Sequence, residues 1–191
     1  MSIWYKLSLA SGLIPLTTGC LIFFSWLVIR ADWLMLAGIY NIMAGLALFV
    51  CGLGFLLVYG QKERKSGNRY PLKRTLISLG ILLFNFPAAA LALYSAEYII
   101  TTSTATVINN SSFEVIDMVL IEREQSYPFP PIAPGQEVIE HFHFKYEGSV
   151  DYKLSLNGSV KTGVMFGYVT GGMGDNATMV INSEGAVEIG R

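Results

Sequence analysis

Three stretches of this chain run without charge for about as long as a bilayer is thick. Residues 7–29 contain no Asp, Glu, Lys or Arg, nor do residues 34–59, and residues 76–94 extend the pattern until Glu97. About 20 apolar residues at a rise of roughly 1.5 Å each cross a hydrocarbon core of about 30 Å. Each run therefore reads as a transmembrane helix, with spans at about 7–29, 34–59 and 76–98. Trp4, Tyr5, Trp33, Tyr59, Tyr94 and Tyr98 stand at the run ends, where amphipathic rings favour the headgroup zone. Core helices of a water-soluble protein are the competing reading, and the length of all three runs disfavours it.

Charge sets the expected orientation. Residues 61–74 carry Lys62, Arg64, Lys65, Arg69, Lys73 and Arg74 against Glu63 alone, a net +5. Basic residues in short loops stay cytoplasmic, and beside a bilayer they also meet anionic lipid. The expected topology has the N-terminus and this loop inside, the turn at residues 30–33 outside, and everything after the third span outside. A nucleic-acid patch is the weaker reading of the same charges. Leu16-Thr17-Thr18-Gly19-Cys20 is similar to a lipoprotein cleavage box, but the apolar run continues nine residues past Cys20, whereas a signal sequence ends at its cleavage site. A retained first span is expected.

Small and polar residues mark the helix faces expected to pack. Ala37, Asn41 and Gly45 recur every four residues on the second span, with Gly52 two turns on. The third span has Asn85, Ala88, Ala92 and Ala96. Small side chains let backbones approach, and amides bond across helices. A polar pathway is the functional alternative. It needs Asn41 and Asn85 at one depth, whereas helical rise puts them about 10 Å apart. Ion and proton routes also commonly use ionisable groups, which the runs lack, so packing is expected. Cys20 and Cys51 fall within spans at different depths and make poor disulfide partners.

Beyond residue 100 the chain becomes ordinary. The whole is 52% hydrophobic and 14% charged, against about 25% charged for a soluble domain, and the shortfall lies in the spans. Residues 101–191 alternate apolar and polar side chains. Runs at 101–108, 113–122, 137–146, 152–156, 160–166, 178–181 and 186–189 are separated by turn residues, among them Asn157-Gly158. Asn-Gly between alternating runs signals a hairpin, because both turn positions take positive φ. The expected fold class is membrane α plus β: three transmembrane helices, then a small antiparallel β-sandwich with about seven strands. Val138, Phe142, Phe144 and Tyr146 should share its inner face, opposite His141, His143 and Lys145. The division expected is residues 1–100 for the membrane and 101–191 for an extracytoplasmic domain.

That domain holds eleven Asp and Glu against five Lys and Arg, a net −6. Such a surface argues against nucleic acid; it permits a basic partner and also aids solubility. It contains no cysteine, which leans towards a bacterial periplasm. Sequons begin at Asn109, Asn110, Asn157 and Asn176 and read as turn-rich chance matches. His141-x-His143 with Glu137 has zinc-like spacing, but a third ligand on that face is not evident. The glycines around Tyr168 and Met173 resemble a phosphate loop, yet neither a helix nor Gly-Lys-Ser/Thr follows. No catalytic constellation, metal set or cofactor motif emerges. The loop Tyr127-Pro128-Phe129-Pro130-Pro131 could present aromatics to a partner at low entropic cost, or plug the core with Phe129. Tyr127, Phe129, Tyr168 and Met173 are the candidate partner-binding residues of the two loops.

Ile132-Ala133-Pro134-Gly135-Gln136 resembles the Pro-Gly-Gln/Glu turn that introduces a strand in many bacterial extracytoplasmic sandwiches. The layout of three spans plus a small outward domain resembles small bacterial inner-membrane immunity proteins, which shield a cell from membrane-active or pore-forming toxins, including secretion-system effectors. That resemblance implies a non-catalytic protein that binds and neutralises such a toxin, without assigning a role to any residue. An accessory or assembly subunit of an envelope complex is the alternative. Expected partners are the bilayer and a protein, either toxin or envelope subunit, with a second copy of the chain also compatible.

Overall fold

The structure, a computed structural model, describes residues 2–66 and 72–190. The chain divides into two compact units, Met1–Ser95 and Ala96–Arg191. Helix α1 is Ile3–Ile29, α2 is Asp32–Lys65 and α3 is Leu72–Thr101. All three are long and apolar enough to cross a membrane. Each is longer than its uncharged run, α3 most of all, because the charged residues flanking the runs stay helical. Arg69, one of the six basic residues of the loop, lies outside the described residues.

Two residues turn α1 into α2. Arg30 takes the left-handed conformation (φ 56°) that usually calls for glycine, and its N–H caps the Trp26 carbonyl at 2.9 Å. Its guanidinium lies 4.7 Å from the centre of the Trp26 ring, an attraction that offsets part of the backbone cost. Asp32 then opens α2, where a negative charge meets the positive end of the helix dipole. Most large apolar side chains of the three helices stand exposed, the distribution a helix facing lipid requires and a water-soluble bundle avoids.

In the second unit, β1 (Ser103–Asn109), β4 (Glu137–Phe142), β7 (Asn176–Ile181) and β8 (Val187–Gly190) form one sheet, in the order β4-β1-β7-β8. β2 (Val115–Glu122), β3 (Gln125–Pro128), β5 (Gly148–Leu156) and β6 (Ser159–Val169) form the other, in the order β3-β2-β5-β6. Buried residues of both sheets, Val107 and Met179 from one and Leu120, Leu154 and Phe166 from the other, belong to one apolar cluster. The hairpin at Asn157-Gly158 has φ 48° and 72°, as the sequence requires, and joins β5 to β6 directly.

Three expectations change. The wholly antiparallel reading does not hold, since β1 and β7 pair parallel; the intervening chain visits the second sheet twice, as β2–β3 and as β5–β6, with β4 on the other side of β1 between the two visits. The proline-rich loop begins as strand β3, bringing the number of strands among the described residues to eight. Strand β4 stops at Phe142, leaving Tyr146 exposed rather than on the inner face with Phe142 and Phe144. Within β2, a bulge places Asp117 at φ 51° and carries Ile116 and Asp117 both outward. Val115 and Met118 can then both be buried, although their spacing breaks strict alternation.

Candidate functional site

Four of the residues named on α2 and α3, Asn41, Gly45, Gly52 and Asn85, lie against α1. Pro15 has no N–H for the Ser11 carbonyl and loosens the helix there. Asn85 of α3 donates to the Gly12 carbonyl at 2.9 Å and back to Ile81 at 3.1 Å. Asn41 of α2 donates to the Pro15 carbonyl at 3.0 Å and accepts from Thr18 at 2.6 Å. The two amides thus reach carbonyls three residues apart, about 4.5 Å along α1, closer than their expected difference in depth. They hold neighbouring groups of one helix without sharing an atom.

One level further along, Ser8 donates to the Gly52 carbonyl at 2.9 Å. Its single proton is thereby used, so the 2.8 Å contact with Ser78 has Ser78 as the donor. Between these polar levels, Leu82 of α3 is 1% exposed. A Cβ added to Gly52 would lie 2.7 Å from its Cδ2, and one added to Gly12 would lie 2.9 Å from Ile81 Cγ2. Gly45 packs on Pro15 in the same manner, with a Cβ 3.2 Å away. Asn41, Gly45, Gly52 and Asn85 are therefore contact residues, while Ala37, Ala88 and Ala92 are half-buried. Sequence reasoning missed the α1 side: Ser8, Ser11, Gly12, Pro15 and Gly19. The four-three-four spacing of Ser8, Gly12, Pro15 and Gly19, with Ser11 beside Gly12, was the available signal. Gly52→Leu is expected to destabilise the helix unit by about 1–3 kcal/mol through overpacking, read as lowered thermal stability of the detergent-solubilised chain.

At the basic end of this unit, Tyr59 is fully buried against Tyr5, with ring centres 5.4 Å apart. Its hydroxyl has no hydrogen-bond partner among the described residues. A buried unsatisfied hydroxyl costs about 1–3 kcal/mol. Tyr59→Phe keeps the ring and is expected to leave thermal stability unchanged or to raise it; a clear fall would show that the hydroxyl is bonded.

In the second unit the two loops part company. Phe129 is 7% exposed and packs on Phe142 at 5.6 Å, so it fills the core and is not available to a partner. Tyr127 sets its ring edge against Phe142 and Phe144. Its hydroxyl donates to the buried carboxylate of Glu122 at 2.8 Å, which also accepts the Tyr146 N–H at 2.7 Å. Burial first, then the Glu122 carboxylate, pushes the Tyr127 phenol up from 10 to about 12. A raised folded-state pKa means that the contribution of the neutral phenol is intact below pH 10 and is lost as pH rises towards 12. Melting temperatures should fall across that window, and Tyr127→Phe should flatten the fall. Burial at Tyr152 and Glu147 beside Tyr168 raise those phenols too, so some slope will survive the substitution.

Tyr168 and Met173 are exposed, at 58% and 67%, and remain available to bind. The two histidines diverge in their contacts. His141 Nδ1 lies 3.1 Å from the Thr104 hydroxyl, whereas the His143 ring sits 4.4 Å from that of Tyr98. Among the described residues no group of three or more His, Cys, Asp or Glu is placed to hold a metal ion.

The class these observations define is a chain with three membrane-capable helices followed by a unit of two four-stranded sheets. No family model matches the chain, and no curated protein matches it either. Among solved structures, an NMR structure of a protein from Eubacterium rectale is similar over 47% of this chain and 87% of that one, at 14% identity and a TM-score of 0.36. A likeness that loose carries no argument about fold or function.

Proposed function

We propose that this is a bacterial inner-membrane immunity protein, which binds a membrane-active or pore-forming toxin and neutralises it without catalysis. Its N-terminus lies in the cytoplasm and its two sheets form a periplasmic sandwich. The observation that carries this reading is the α1 seam. Its hydroxyls and amides are engaged in holding helices together, and no Asp, Glu, Lys, Arg or His lies deep in any span for transport or proton transfer. Such a unit suits a scaffold that meets other helices in lipid. On α2, Ile39, Met43, Leu46 and Val50 stand exposed at four-three-four spacing, a stripe matching the periodicity of helix–helix packing. A toxin helix arriving in the bilayer would find that stripe already ordered.

Cells producing a membrane-active toxin encoded beside this gene should survive when the chain is co-expressed; survival that ignores the chain would sink the proposal. The same α2 stripe also supports the second reading, an accessory subunit with a permanent helical partner in an envelope complex. Purification from unchallenged cells separates the two, because an obligate subunit brings its complex with it.

A further inference from the structure

We propose that the end of the second unit at which α3 enters is a lipid-binding face, with Met173, Tyr168 and Tyr146 seated in the headgroup layer of the leaflet that α3 leaves. The inference rests on reading α3 as a membrane span and is independent of what the protein neutralises.

Only Thr102 separates the last helical residue from β1. On the final turns of α3, Tyr94 and Tyr98 are exposed and mark the interfacial aromatic belt. From Tyr98 to Thr101 the helix rises about 4.5 Å, and the headgroup layer outside the hydrocarbon core is roughly 5–7 Å deep on each side. Whatever surrounds residues 100–102 therefore lies within that layer.

Two loops surround them. The Gly174 N–H donates to the Ile100 carbonyl at 2.7 Å, placing its neighbour Met173 at that level. The His143 ring nitrogens lie 3.4 Å from the hydroxyls of Thr101 and Thr102, which sets the level of the following loop with Lys145 and Tyr146. A Cβ on Gly171 would meet the Lys145 carbonyl at 3.1 Å, so the two loops adjoin. Tyr168 donates to Glu147 at 3.2 Å, and the Arg123 guanidinium sits 4.8 Å over the Tyr146 ring.

The result is an exposed mixture of aromatic, thioether and charged groups, its exposed acids being Glu97 on α3 and Glu124, Glu147 and Asp151 around Arg123 and Tyr146. In water alone an exposed methionine beside two exposed tyrosines gains nothing; in a headgroup layer their apolar bodies and polar tips are both accommodated. The turns at the opposite end, residues 110–112, 157–158 and 182–185, are Asn, Ser, Gly and Glu; Phe113 beside them is the exposed exception.

The test uses the full chain with Cys20→Ala and Cys51→Ala, carrying a fluorophore at Met173→Cys, Tyr94→Cys or Ser112→Cys in separate samples. Each is reconstituted in phosphatidylcholine–phosphatidylglycerol vesicles containing headgroup spin-labelled lipid. The Tyr94 and Met173 probes should lose most of their fluorescence while the Ser112 probe keeps it. Quenching at Tyr94 without quenching at Met173 overturns the lipid-binding face and leaves the span standing. Quenching at Ser112 equal to that at Met173 overturns it as well, since neither end would then be selected. No quenching at Tyr94 removes the span and the inference together.

Discussion

Asn109→Ala is expected to cost the second unit about 3–4 kcal/mol, most of what a domain of this size has to lose. Stabilities of small domains start at about 5 kcal/mol, and each hydrogen bond left without its partner in the interior costs about 1 kcal/mol or more. Asn109 ends β1 with no exposed surface. Its amide nitrogen donates to the carbonyls of Phe113 at 2.8 Å and Ile132 at 2.9 Å. Its amide oxygen accepts from the Ser111 N–H at 3.1 Å and the Ser111 hydroxyl at 2.7 Å. All four valences of the side chain are used, and they tie the β1–β2 turn to the far end of the proline-rich loop. Asn109→Asp should be worse than the alanine change, because a carboxylate oxygen would then face two carbonyl oxygens in a low-dielectric interior. Asn110→Ala is the control: that side chain is exposed, and little change is expected. Thermal melts of the three variants followed by circular dichroism decide the matter. Equal melting temperatures for Asn109→Ala and Asn110→Ala would refute the assigned role.

The same bonds show what a sequence conceals. Asn109-Asn110-Ser111-Ser112 reads as a turn cluster, and it is one, but nothing in four polar residues says that the first is buried and the second exposed. The helices were legible because a segment fit to cross lipid has so few options: a backbone with no water to bond must satisfy itself within a helix, so length and absence of charge suffice. The Asn157-Gly158 hairpin was legible because its turn needs two positive φ values. The parallel β1–β7 pairing was not, since it joins segments some seventy residues apart and no local signal encodes which neighbour a returning strand will take. Phe129 posed a related difficulty. A proline-framed phenylalanine suits a binding loop or a core plug equally well, and only the position of Phe142 decides between them. On the helices, Gly52 and Asn85 were visible as candidates, but their partners on α1 were not. A small-residue stripe shows where a backbone can be approached, without naming what approaches.

Gly174→Ala is expected to have an effect of similar size, about 3 kcal/mol or more, from the loss of space for a single methyl group. A Cβ at that position would lie 2.0 Å from the Thr102 carbonyl oxygen and 3.0 Å from that of Ile100. Both neighbours are main chain, so no side-chain rotamer can relieve the contact, and overpacking against backbone exceeds the usual 1–3 kcal/mol of a core insertion. Any movement that relieved it would also break the Gly174 N–H bond to Ile100 and the bonds that follow, where Asp175 donates to the Ser103 hydroxyl and Thr104 donates to the Asp175 carbonyl. These bonds hold the last turn of α3 and the first residues of β1 to the start of β7. Gly172 separates this explanation from general intolerance of the glycine-rich loop. A Cβ there meets nothing within 4 Å, and Gly172→Ala should therefore be silent. Melting temperatures of the two variants, measured on the full chain in detergent, should differ widely. Comparable losses in both would mean that the loop needs glycine for its flexibility, and that the close approach of Gly174 to the helix end is not what holds β1 and β7 in register.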